Sequence, residues 1–373
     1  MAAMQSAPSI TLTFPDAASA ERRIAGLAVA ARAVAEAARG GIRDIRVVIA
    51  GGQASSALHE ELARVSDGAT VRVLASDADP ATLHVAGDEM LLTKEGVERL
   101  LDPRGDGKTL PGDAIDLRRS WPATRAVLRG TAKSSDGLVS RWLNRPVSQL
   151  ISSAILQIRG VRPWHATVGA AVTGLLMVAA LLFGGRSGLI AGGVLFHAAS
   201  VIDGVDGEVA RATYRSSRSG AILDTTIDMI TNLAFFLCIT VALTRLYGVA
   251  HLYVGAWLVG WAVLGLVAMR ELAIRAGEPG NFNVLKRYYT HQFPTGIPAL
   301  IRKTLIILTS RDTFAFVFAV DIVIGLASAT FYSLAGFVTL WVILIAAAAP
   351  GLLREAQAPI GVVPRDQEAA VFE

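Results

Sequence analysis

One cysteine in 373 residues excludes any intramolecular disulfide and any cysteine-built metal site. The surroundings of Cys238, AFFLCITVA, make it an apolar filler. The chain has no compact basic tract interleaved with aromatics, so its formal net charge of +4 does not point to nucleic acid. The first 130 residues contain no long apolar run, and MAAMQSAPSITLTF lacks both the basic start and the continuous apolar core of a cleavable leader. The first third is therefore expected to stay in the cytosol. No internal repeat and no long low-complexity segment is evident. What the chain has in excess is apolar sequence: 53% of residues are hydrophobic and the mean hydropathy is +0.48.

Against that apolar background, the stretch IDGVDGEVARATYRSSRSGAILDTTID spells D-x2-D-G-x2-A-R-x8-G-x3-D-x3-D. Ionisable groups inside segments apolar enough to cross a bilayer are costly and usually functional. Residues three or four apart share a helix face, so Asp203, Asp206 and Ala210 form one stripe with Gly207 beside it. After the short turn TYRSSRS, Gly220, Asp224 and Asp228 form a second stripe. Two facing stripes can make one pocket. Four crowded carboxylates repel and stay partly protonated unless a cation neutralises them, which implies a hard, oxygen-liganded divalent ion. Magnesium or manganese fits, because neither thiolate nor a histidine cluster is near. Gly207, Ala210 and Gly220 would let a flat ligand lie against helix backbone, and Arg211 offers a planar fork for phosphate oxygens. A divalent-cation pathway lined by the same aspartates is the alternative from a different class.

The string matches the signature of the CDP-alcohol phosphotransferase family at every specified position and resembles it specifically. The resemblance implies a metal-dependent enzyme whose motif spans the second and third transmembrane helices. It would bind a CDP-linked donor through two divalent metals and transfer a substituted phosphoryl group to an acceptor hydroxyl with loss of CMP. Carried over by position, Asp203, Asp206 and Asp224 are metal ligands, and Asp228 is the general base that also touches metal. Gly207, Ala210 and Gly220 would abut the cytidine, and Arg211 the diphosphate. Homodimerisation is implied by the same resemblance. An aspartate at its ordinary pKa of about 4 is a weak base, so Asp228 would act mainly by position.

The expected architecture is a polytopic α-helical membrane protein with a soluble N-terminal α/β domain. Six apolar spans fall at 164–184, 188–211, 219–243, 247–269, 313–333 and 335–353, each near the roughly 20 residues that cross a bilayer. These lie within a catalytic domain at 161–353, followed by a polar tail at 354–373. The segment from Arg270 to Arg311 carries Arg275, Lys286, Arg287, Arg302 and Lys303 as well, which marks its side as cytoplasmic. Both termini then face the cytosol, and high alanine and arginine use suggests a bacterium with a GC-rich genome, so the expected location is a bacterial plasma membrane. Arg270, Lys286 and Arg287 are candidates for an acceptor pocket if the acceptor carries a phosphate, and anionic lipid heads are an equal alternative. Tyr288, Tyr289 and Phe293 suit an interfacial position.

Residues 136–160 read as an interfacial amphipathic helix, with Leu138, Trp142, Val147, Leu150, Ile151 and Ile155 near helical spacing and arginines at 141, 145 and 159 to meet lipid phosphates. The run DGLVSRWLNRPVS resembles the juxtamembrane helix of fused inositol-phosphate cytidylyltransferase and di-myo-inositol phosphate phosphate synthase proteins, which tilts the acceptor toward inositol-type chemistry. Glycerol phosphate or another polyol also fits, and the donor could be CDP-diacylglycerol or a soluble CDP-alcohol. Where the family often has Thr-Pro-Asn before its first span, this chain has Arg162, Pro163 and Trp164.

Residues 1–130 alternate short apolar runs with alanine-rich helical patterns, an α/β layer signature. GLAVAARAVAEAARGGIRDIRVVIAGG and HVAGDEMLLTKEGVERLL resemble a trimmed nucleotidyltransferase of the sugar-phosphate cytidylyltransferase kind. Such enzymes hold a triphosphate on a glycine-rich loop after the first strand, but FPDAASAERR has no glycine, and Asp88 alone cannot complete a two-metal site. The domain therefore reads as degenerate, serving dimer contact, docking or placement of the active site; a bifunctional enzyme is the alternative. His197 reads as a packing histidine, off the aspartate stripe. Asn232 continues the Gly220, Asp224, Asp228 stripe, where it either extends the polar cavity or bonds between helices. Asp321 is an intramembrane carboxylate, expected to face a cavity or to pair with an arginine.

Overall fold

The computed structural model describes residues 9–76, 83–87, 90–101, 114–117, 120–132, 137–276, 284–292, 295, 304 and 311–357. Asp88, Phe293, Arg302, Lys303, the side chain of Lys286 and residues 358–373 of the expected tail lie outside the described residues. The chain forms two compact units. The first comprises 1–132, 149–163 and 207–216; the second comprises 133–148, 164–206 and 217–373.

In the first unit, β1 (Ser9–Phe14), α1 (Ala17–Glu21), β2 (Arg23–Ile24), β3 (Leu27–Ala28), α2 (Val29–Arg39), β4 (Asp44–Ile49), α3 (Ser56–Val65), β5 (Thr70–Leu74) and β6 (Leu83–Ala86) follow in order. Four of these strands form a parallel sheet in the order β5, β4, β1, β6, in register from Ser9 opposite Asp44 to Phe14 opposite Ile49. The strands alternate with helices, as the sequence pattern requires for a parallel sheet. Ile10, Leu12, Phe14, Ile45, Val47 and Ile49 are buried and form its core. After β1 the chain turns through Pro15 into Asp16, whose carboxylate accepts from Ser19 N at 2.7 Å and caps the five-residue α1. A second pairing joins β7 (Met90–Leu92) to β8 (Ala114–Asp116), with α4 (Lys94–Leu101) between them and α5 (Ser120–Arg129) after.

A π-helical turn (Ser140–Asn144) leads into α6 (Arg145–Ile155). Burial on this segment is inverted relative to a water-facing helix. Trp142, Val147 and Leu150 are exposed, whereas Asn144, Arg145, Ser148, Ser152 and Ser153 are buried. An outward apolar face with an inward polar face is what a lipid interface stabilises.

The helical region continues with α7 (Pro163–Phe183), α8 (Gly185–Ala212), α9 (Arg218–Tyr247), α10 (Ala250–Arg275), α11 (Val284–Gln292), α12 (Arg311–Val323) and α13 (Ala327–Gln357). Among the described residues five helices are long and apolar enough to cross a membrane: α7 to α10 and residues Ala327–Arg354 of α13. In the second unit Phe196 stacks on Phe235 with ring centroids 3.8 Å apart, and Phe318 meets Phe235 edge-on. Gly265 has no side chain where Trp341 lies, so α10 and α13 approach closely.

The expected boundary between the last two spans is corrected. The break falls not at 334 but at Ile324–Leu326, where Gly325 adopts φ +86°. Gly325 N donates to Ile322 O and Leu326 N to Asp321 O, the paired bonds of a left-handed helix stop. The Asp321 carboxylate accepts from Thr330 Oγ1 across the turn. As described, α12 has 13 residues, about 20 Å of helix.

Replacing Gly325 by Ala should lower stability by roughly 1 kcal/mol, since a Cβ there meets open space but the backbone is strained. Gly336, inside α13 and also facing open space, should gain or hold stability on the same change. Thermal melts of both variants in detergent separate the two effects.

Candidate active site

The four aspartates of the motif lie in the second unit. Asp206 is 7% exposed and accepts from Thr167 Oγ1 on α7 at 2.8 Å, which fixes one carboxylate oxygen. Asp203 is half-buried three residues earlier on the same face of α8, and Asp224 and Asp228 are half-buried on α9. Gly220 sits exposed in the first turn of α9, where its N–H donates to the capping Ser217 Oγ at 3.0 Å. A Cβ on Gly220 would meet that hydroxyl at 3.0 Å. Helix spacing thus delivers two carboxylate pairs, one per helix.

The donor set is entirely carboxylate oxygen, the kind of ligand hard divalent ions take. Among the described residues, however, no group of three or more histidine, cysteine, aspartate or glutamate side chains stands close enough to hold an ion. The donors fit a divalent metal by kind, while their spacing is not that of a closed coordination sphere.

Gly207, Ala210 and Arg211 end α8 in the first unit. A Cβ on Gly207 would stand 2.9 Å from an Arg211 guanidinium nitrogen, so this glycine lets the arginine fold back along its own helix. Arg211 Nε donates to Thr131 O at 2.8 Å. Arg270 is exposed near the end of α10, Lys286 and Arg287 lie on α11, and Arg287 is half-buried.

The structure adds a clamp on the start of the turn between the motif helices. Arg32, 2% exposed in the alanine-rich α2, donates to Ile24 O, Ala25 O and Ala212 O at 3.0, 3.2 and 2.7 Å. Arg64 on α3 donates to Thr213 O and Tyr214 O at 3.0 and 3.1 Å. Tyr214, at φ +51°, donates its hydroxyl to Glu36, and the Arg39 guanidinium lies over its ring at 4.9 Å. Burial raises the Tyr214 hydroxyl above the ordinary tyrosine pKa, so it stays a donor. Glu208, fully buried on α8, accepts from Ser152 Oγ at 2.6 Å. An arginine in the centre of the apolar face of AVAARAVAEAA was the available signal for this clamp; Glu208 stands at an unspecified position of the motif and gave none.

Residues 162–349, about half of the chain, match the CDP-alcohol phosphatidyltransferase family. The chain belongs to that family. Members generally use divalent metals, and with five apolar helices this is a multi-pass membrane protein. The chain is also similar to proteins named bifunctional IPC transferase and DIPP synthase. The Archaeoglobus fulgidus protein is 32% identical over 142 residues, 36% of this chain and 27% of the relative. That of Thermococcus kodakarensis is 36% identical over 107 residues, 28% and 23%. That of Rubrobacter xylanophilus is 40% identical over 113 residues, 30% and 24%. The matched stretches span about a quarter of those relatives.

Exchanging Arg32 for Met keeps most of the buried volume and leaves three carbonyls without a donor, so the first unit should lose on the order of 3 kcal/mol and residues 212–216 should exchange amide hydrogens faster. For Tyr214 the sign follows from a raised folded pKa: its contribution is complete below the ordinary value of about 10 and is lost as pH climbs above it. Tyr214→Phe should therefore show a shallower alkaline fall in stability than the parent protein when the two are compared in pH-dependent melts.

Proposed function

We propose that the chain is a CDP-alcohol phosphotransferase that moves a substituted phosphoryl group from a CDP-linked donor to an acceptor hydroxyl and releases CMP. The observation that carries this reading is the complete motif from Asp203 to Asp228 on two apolar helices of a chain in this family. Asp203, Asp206, Asp224 and Asp228 hold divalent cations, magnesium or manganese and two per site, which when bound neutralise the diphosphate and the leaving CMP. Arg211 contacts the diphosphate, and Gly207, Ala210 and Gly220 abut the cytidine. Asp228 accepts the proton of the attacking hydroxyl as its oxygen bonds to the distal phosphorus, while the bond from that phosphorus to the bridging oxygen breaks and CMP leaves with it. Arg270, Lys286 and Arg287 attract a phosphorylated acceptor, an inositol or glycerol phosphate, in phospholipid or polyol phosphodiester synthesis.

The relatives' names support an inositol-type acceptor. Those names also favour a second reading, in which the N-terminal domain makes the CDP-alcohol. Against it stands the turn after β1, which has no glycine and spends Asp16 on a helix cap. The protein crosses a bacterial plasma membrane six times, with α12 in the fifth span and both termini cytoplasmic, and works as a homodimer.

Purified protein with CDP-diacylglycerol or soluble CDP-alcohols, a panel of hydroxyl acceptors and Mg2+ or Mn2+ should release CMP, and Asp228→Asn should lower the rate by about 100-fold or more. Absence of CMP from every pair, with metal-dependent cation flux in sealed vesicles instead, would replace this reading with transport. Pyrophosphate from CTP and a polyol phosphate would establish the bifunctional reading.

A further inference from the structure

Asn144 closes the π-helical turn and is 4% exposed, yet neither its amide nitrogen nor its amide oxygen has a hydrogen-bond partner. A buried amide left unmade on both sides is costly, and folded chains keep such groups chiefly where a ligand or water completes them. The π turn itself is a local departure from α geometry of the kind that gathers at functional sites.

Its polar neighbours along the helix, Arg145 and Ser148, belong with it to the second unit. Arg145 is 9% exposed, and one guanidinium nitrogen lies 3.8 Å from the point where a Cβ on Gly204 would stand. Ser148 Oγ lies 3.5 Å from the same point. Gly204 directly follows Asp203, so this wall meets α8 beside the first carboxylate pair. The π turn also packs against α12, whose Asp312 accepts from Ser200 Oγ of α8 at 3.0 Å. One turn before Ser200, the Nδ1 of His197 is buried with no partner. His197, Ser200 and Gly204 share a face of α8 at intervals of three and four. The Asn144 amide and the Nδ1 of the half-buried His197 thus lie unpartnered, one on the element that packs against α12 and the other on α8 itself.

Resting on the phosphotransferase reading, we propose that this polar wall is the hydroxyl-recognition subsite of the acceptor, with Asn144 as its reader. An amide presents a donor and an acceptor side by side, which suits adjacent hydroxyls of a polyol, each able to accept and to donate. In-line transfer requires the acceptor to enter opposite the leaving CMP. On α8 the residues assigned to cytidine, Gly207 and Ala210, follow Gly204, where the wall meets the helix beside Asp203. The basic residues near α11 then serve to attract phosphate, and Asn144 selects the hydroxyl-bearing ring or chain.

The test is ligand-induced thermal stabilisation of the purified full-length protein by myo-inositol, myo-inositol 1-phosphate and glycerol 3-phosphate, which needs no turnover. Asn144→Leu, a near-isosteric apolar change that removes the unmade bonds, should fold at least as well as the parent. It should bind the polyol about 10- to 100-fold more weakly while keeping its response to CDP-linked donors. Asn144→Ala should show the same selective loss. Equal polyol affinity in Asn144→Leu and the parent, or no stabilisation of the parent by any of the three polyols, would overturn the assignment and leave the amide as a water site. Failure of CMP release is read in a separate assay and bears on the phosphotransferase reading instead.

Discussion

One buried guanidinium organises the first unit. Arg32 lies on the alanine-rich α2, and its desolvation is offset by three backbone carbonyls that converge on it, with Tyr214, Glu36 and Glu61 also favouring its charge. One belongs to Ala212, the last residue of α8, and Arg64, Glu36 and Arg39 hold the two residues that follow. The chain leaving the first half of the aspartate motif is therefore fixed by the α/β layer. Without it, Tyr214 would have neither its carboxylate partner nor the guanidinium over its ring.

Cost in the apolar region explains the aspartates. Each carboxylate within an apolar helix must be bonded, paired or neutralised. Asp206 has Thr167, and Asp321 has Thr330 across the stop at Gly325. A pair on each of two helices concentrates negative charge in an apolar setting, which favours positive charge nearby. The carboxylates present oxygen donors of the kind hard divalent ions take.

Much of this was legible in the sequence. The motif, its two stripes and the first four spans follow from polarity and the 3.6-residue period, and α7 to α10 fall within a few residues of the expected limits. The α/β alternation was equally plain. The stop at Gly325 was not, because a run apolar on every face carries no period and a lone glycine within it reads as packing. Arg32 was half legible: its place on the apolar face of an alanine-rich helix marked it, but the carbonyls it serves, 180 residues away in one case, are set by the fold. Asn144 sits in a segment expected to be interfacial, but which of its faces turned inward required coordinates.

The most direct measurement is the reaction run in 18O-labelled water with a CDP-linked donor and a polyol phosphate acceptor, followed by mass spectrometry of both products. Attack by the acceptor oxygen on the distal phosphorus predicts that CMP and the phosphodiester both form without label. Label in CMP, or in a phosphorylated alcohol released without a phosphodiester, would show water as the nucleophile and contradict the transferase account.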